Sequence, residues 1–119
     1  NFRLMIRPKT IAKFMLEKKA TNIKIFDVRK ITSITDFFII CDAASDPQVK
    51  AIQNHVSRSL KKRGIRPSNV EGQDQLEWVL MDYFDFIIHI FSEDKREFYD
   101  IDRLWADAKI TMIEDDNEK

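Results

Sequence analysis

In "IAKFMLEKKA", behind Pro8 and Thr10, apolar Ile11, Phe14 and Met15 recur at three- and four-residue spacing and predict a first helix. "NIKIFDVR" (22–29) changes period. Ile23, Ile25 and Asp27 fall on one face and Lys24, Phe26 and Val28 on the other, the two-residue repeat of a strand. "DFFIICD" (36–42) is more densely apolar, as expected of a strand covered on both sides. The "KITSIT" between them suits a short hairpin connection.

The longest helix is predicted to open at Asp46 and Pro47, with Asp as its N-cap and Pro at the first helical position, where a missing N–H costs nothing. Val49, Ile52, Val56 and Leu60 form its apolar stripe; Lys50, Arg58, Lys61 and Lys62 lie outside it, and Gly64 ends the helix. "IRPSNVEGQDQ" (65–75), with Gly72, reads as a loop. "LEWVLMDY" and "FIIHIF" are two strands broken at "YFD". A last helix, "EFYDIDRLWADA", places Phe98, Ile101, Trp105 and Ala108 on one stripe, and an acidic tail follows from about 110, ending in "EDDNEK". This order predicts one α/β domain over 1–119, with a mixed β-sheet flanked by helices.

Composition narrows the picture. With 119 residues, 44% of them hydrophobic and nine Phe, the chain can bury one sizeable core. A single cysteine, Cys41, excludes a disulfide framework and a Cys-based zinc site, and fits a reducing compartment. No apolar run approaches the roughly 20 residues of a membrane span. "NFRLMIRPK" lacks the apolar region of a cleavable signal. Charge is unevenly spread: residues 1–66 hold 15 Lys and Arg against 5 Asp and Glu, and residues 67–119 hold the reverse. Either the fold has a basic and an acidic face, or it interleaves the halves and cancels them.

Reactive chemistry finds little support. Asp82, Asp85 and His89 offer a metal site, an acid–base pair or a surface patch. No second histidine stands nearby, and a strand histidine among apolar neighbours is most often a hydrogen-bonded, half-buried residue. Cys41 has no recognisable His partner, and Ser45, Ser57 and Ser59 have no elbow-type glycine context. With two glycines in the chain, a phosphate-cradling loop is hard to build. No catalytic, cofactor-binding or metal-binding residue is therefore expected. Trp78 and Tyr83 beside carboxylates have the composition of a protein-binding hot spot, unless Trp78 belongs to the core. Arg58, Lys61, Lys62, Arg63 and Arg66 either touch nucleic-acid phosphates or form a solvated face.

Four pieces in order, "SDPQVKAI", "EG" with "WVLMDYFD", "HIF" and "REFYDIDRLW", resemble the ribosomal silencing factor, or Iojap, family over residues 9 to 108. Pro47 stands where the family usually has Arg, and Phe84 where it often has Gly. The resemblance implies a nucleotidyltransferase-like topology without the glycine–serine and paired acidic motifs such enzymes need. It implies a non-enzymatic repressor of translation that uses no cofactor. Such a protein binds the large ribosomal subunit through ribosomal protein fourteen of that subunit, on the joining face, and sterically blocks the small subunit. Together with the composition of residues 71–85 and the extra aromatic at Phe84, the resemblance leads us to expect partner-binding residues Glu71, Trp78, Asp82, Tyr83, Phe84 and Asp85. It further implies a cytoplasmic or organellar location without membrane contact, and leaves room for a secondary contact with ribosomal RNA and for a homodimer off the ribosome. Two other functions remain open: an RNA-binding ribosome-assembly module using the basic helix 47–63, and a nucleotidyltransferase-type enzyme.

Overall fold

Ile11, Ala12 and Met15 turn one side of helix α1 (Pro8–Glu17) to the interior, and Pro8 starts it where no backbone donor is needed. These residues belong to a computed structural model that describes residues 6–114, so the opening stretch read for a cleavable signal lies mostly outside the described residues. Strands β1 (Thr21–Asp27) and β2 (Phe37–Ala43) pair antiparallel, as the "KITSIT" connection suggests. Helix α2 (Asp46–Lys61) buries Val49, Ile52, Val56 and Leu60 completely. Its cap is Ser45 rather than Asp46. Extended backbone at Ser45 lets its hydroxyl accept from the Gln48 N–H (3.3 Å), which leaves Asp46 and Pro47 in the first turn. At the other end Gly64 adopts φ +79°. That bend brings the Gly64 N–H to the Lys61 carbonyl (2.9 Å) and the Ile65 N–H to the Leu60 carbonyl (3.0 Å).

Three expectations need correction. The segment 65–75 is not all loop: Asn69–Glu71 is a short edge strand, β3, paired with β4 (Trp78–Asp82). Gly72 makes the turn between them at φ +83°, where a Cβ would collide with the Trp78 carbonyl. The last helix is two, α3 (Glu93–Tyr99) and α4 (Ile101–Leu104), broken by Asp100 at φ +48°. The break leaves Phe98 out in solvent, while Ile101, Trp105 and Ala108 pack inward. Finally, residues 109–113, read as the start of an acidic tail, form strand β6 (Lys109–Ile113) on the free side of β1. The tail residues 115–119 lie outside the described residues.

With β5 (Phe86–Ser92), the sheet order is β3-β4-β5-β2-β1-β6, and only β2 and β5 run parallel. The sheet is therefore mixed, with helices on both faces. One face carries Ile23, Ile25, Ile39, Cys41, Val79, Met81, Ile88 and Ile90 beneath α1 and α2. The other carries Phe26, Phe38, Ile40 and Phe91 beneath Ile101 and Trp105.

A charge cluster ties α3 and α4 to that second face. Arg96 donates to the buried Asp42 carboxylate of β2 (2.6 Å), to the Asn22 carbonyl (3.0 Å) and twice to Asp102 of α4 (2.8 and 3.1 Å). Lys24 adds a bond to Asp102 (3.1 Å). Burial alone would raise the Asp102 carboxyl. The Arg96 and Lys24 hydrogen bonds outweigh it and bring it down to about 2.

Candidate protein-docking site

Strands β4 and β5 meet in a turn of three residues, Tyr83, Phe84 and Asp85, and the chain must reverse tightly there. Phe84 takes the left-handed conformation (φ +77°), in which an L side chain crowds its own backbone at a cost of about 1–2 kcal/mol. Three bonds hold it. The Asp82 carboxylate accepts from the Phe84 N–H (2.8 Å), the Thr35 hydroxyl donates to the Phe84 carbonyl (3.0 Å), and the Asp85 N–H donates to the Tyr83 carbonyl (2.9 Å). The phenyl ring gains no burial in return: Phe84 is 72% exposed.

Parallel pairing of β2 with β5 brings the β1–β2 connection to the same end of the sheet. The Asp36 N–H donates to the Asp85 carbonyl (3.1 Å), and Ile34, beside Thr35, is 62% exposed. The result is an apolar knob of Phe84 and Ile34 with Asp36, Asp82 and Asp85 around it. Sequence reasoning missed Ile34, Thr35 and Asp36. The available signal was a pair of isoleucines, Ile31 and Ile34, in a linker otherwise polar, but the parallel crossover that places Ile34 here is a long-range contact.

The six residues expected to bind a partner do not all gather. Asp82, Phe84 and Asp85 sit together at the turn. Glu71 is exposed on β3, on the same sheet face as Asp82 and two residues further along, with Asn69 donating to it (2.6 Å). Trp78 lies on that face at the far end of β4, half-buried. Its indole N–H donates to His89 Nδ1 (3.0 Å), and its ring stacks on Phe91 and touches Tyr99. Tyr83 points to the opposite face and is only 6% exposed. Its ring stacks on Phe86 within the core under α2, and burial pushes its hydroxyl up to about 12. An anchor for a partner must be reachable, so Tyr83 is core. Alternation puts it there: neighbours along a strand point oppositely, and Asp82 takes the open side.

His89 is buried among Phe38, Trp78 and Phe91. Burial, aided by the Arg96 charge, pushes it down to about 3. It is a neutral imidazole whose Nδ1 is committed to Trp78, the hydrogen-bonded strand histidine that periodicity suggests. Among the described residues, no group of three or more His, Cys, Asp or Glu side chains converges as a metal site would need. Cys41 is fully buried, and its thiol is raised by that burial far above the range in which it is nucleophilic.

Fold and site together define an α/β domain whose distinctive surface is a hydrogen-bonded, acidic, aromatic-tipped hairpin end. Comparison with known proteins gives the family. The model of "Ribosomal silencing factor during starvation" matches residues 6–119. The "Ribosomal silencing factor RsfS" of Halalkalibacterium halodurans is 36% identical over 98 residues, 82% of this chain and 84% of that protein. "Protein Iojap, chloroplastic" of Zea mays is 31% identical over 83% of this chain, which spans 43% of the maize protein. A crystal structure from Bacillus halodurans superposes with a TM-score of 0.76 at 30% identity, covering 96% of this chain and 99% of that one. The chain belongs to the ribosomal silencing factor family, which is named for a silencing role rather than for a catalysed reaction.

Proposed function

We propose that this protein represses translation by docking its hairpin end on a protein of the large ribosomal subunit and occupying the space the small subunit needs. The partner that the family resemblance suggests is ribosomal protein fourteen of that subunit. Location follows the ribosome, in a bacterial cytoplasm or in an organelle. No helix among the described residues is long and apolar enough to cross a membrane.

The observation that carries this reading is Phe84. A strained backbone held by three hydrogen bonds displays an exposed phenyl ring. Local strain that buys no packing is a feature of binding sites. The surrounding carboxylates suit a basic partner, since ribosomal proteins must neutralise RNA, and opposite charges steer encounter and fix register. Blocking by bulk asks for no reacting group, which accords with a buried thiol and a neutral, committed histidine.

Co-sedimentation with isolated large and small subunits tests it. The protein should pellet with large subunits only. Asp82→Asn keeps an oxygen for the Phe84 N–H while removing charge, and Phe84→Gly removes the ring while suiting the backbone. Losing an aromatic anchor costs about 2 kcal/mol or more, so Phe84→Gly should weaken large-subunit binding about tenfold or beyond. Equal pelleting with both subunits, or full binding by Phe84→Gly, would remove the hairpin end as the docking site.

A further inference from the structure

The fold interleaves the two charge halves where Lys24 pairs with Asp102 and Arg96 with Asp42, but its helices segregate charge between the two faces of the sheet. Helices α1 and α2 and their flanks, residues 7–19 and 45–66, carry eleven Lys and Arg against Glu17 and Asp46. All eleven are exposed. Among the described residues none of them makes an ion pair, and Glu17 is itself taken by His55 (2.7 Å). On the opposite face of the sheet, residues 93–107 carry six carboxylates against three cations, one of which is the buried Arg96.

Helix stability explains only part of the basic layer. Lys61, Lys62 and Arg63 stand at the C-terminal end of α2, where the helix dipole favours cations. Lys9 is in the first turn of α1, at the disfavoured end and without an acidic companion. Lys9 and Lys13, and Arg58 and Lys62, are like-charged pairs four apart, an arrangement that destabilises a helix. The apolar stripes that hold both helices to the sheet contain none of these residues. Charge repulsion at Lys9 with Lys13, at the N-terminal end of α1, thus has no folding return, and the layer lies on the far side of the sheet from Trp78, Asp82 and Glu71.

We propose that the outer surface of α1 and α2 is a second binding surface, one that takes the phosphate backbone of structured RNA. Arg63 over the half-buried Phe14 ring (5.7 Å) and His55 edge-on to that ring add an aromatic centre to the layer. Choosing RNA over another polyanion rests on the ribosome-bound function proposed above. There, protein contact at the hairpin end sets position, and phosphate contact at the helices adds affinity without sequence preference.

Anisotropy of a fluorescently labelled 20-base-pair RNA duplex, titrated with the full chain across a salt series, tests the second surface. Affinity should fall linearly with salt on logarithmic axes. The double variants Lys9→Glu with Lys13→Glu, and Lys61→Glu with Lys62→Glu, should each lose tenfold or more and lower the slope by roughly one for each phosphate contact removed. Wild-type affinity in both variants, absence of salt dependence, or tighter binding to labelled polyglutamate of equal charge than to RNA would overturn the proposal. Large-subunit co-sedimentation separates the two claims. Selective pelleting without RNA affinity sinks the helix surface alone. Helix-dependent RNA affinity without selective pelleting sinks the hairpin docking alone.

Discussion

Single residues carry both the strain and the pH response of this fold. At Phe84 a glycine would relieve about 1–2 kcal/mol of left-handed strain, while giving back about 0.4–1 kcal/mol through a more flexible unfolded chain. Phe84→Gly should therefore melt within a few degrees of the wild type even as it loses ribosome binding. A fall of ten degrees or more in Tm would show that the ring supports folding after all. His89 sets a different test. Its folded-state value, pushed down to about 3 by burial, lies below the ordinary 6.5. Below pH 6.5 the unfolded chain takes the proton and the folded chain refuses it. Stability is full above that point and declines by up to about 1.4 kcal/mol per pH unit toward pH 3. Urea midpoints should fall between about pH 6 and 4 in the wild type, and His89→Gln should flatten that decline. An identical pH profile in the variant would mean that other groups dominate.

At the scale of elements, what was legible in the sequence was what repeats locally. The stripe of α2, the alternation in β1 and the paired strands around "YFD" all follow periods of 3.6 or 2, and the structure has them where the pattern puts them. What was not legible depends on distant partners. β3 and β6 are short edge strands whose pairing comes from β4 and β1, not from their own composition. The break at Asp100 overrides an apolar stripe that would run unbroken through Phe98, because Arg96 must turn inward to Asp42 and Asp102. Site residues split the same way. Asp82, Phe84 and Asp85 adjoin in sequence and in space, whereas assigning Tyr83 needed the face and finding Ile34 needed the β2–β5 crossover. The Arg96 clamp makes its own prediction. Asp42→Ala leaves a largely buried guanidinium with only one of its two carboxylates, and breaking a buried pair costs about 3–5 kcal/mol. Hydrogen exchange should speed up first in α3 and α4. Unchanged protection there would show that apolar packing of Ile101 and Trp105 suffices without the clamp.

For the whole molecule, the sheet acts as a partition. Its basic helices cover one face and the acidic, aromatic-tipped turn lies at one end of the sheet, so two partners of opposite charge can be held at different places at once. On the proposed reading, a domain with radius of gyration 13.3 Å held on the large subunit would act as a spacer. Nothing needs to react for it to keep another particle away. The direct measurement is the yield of joined ribosomes on a sucrose gradient when purified protein is added to large subunits before small ones. Joined ribosomes should decline in step with occupied large subunits and approach zero near one protein per subunit, and Phe84→Gly should need about ten times more protein. An undiminished joined peak with every large subunit occupied would contradict the account.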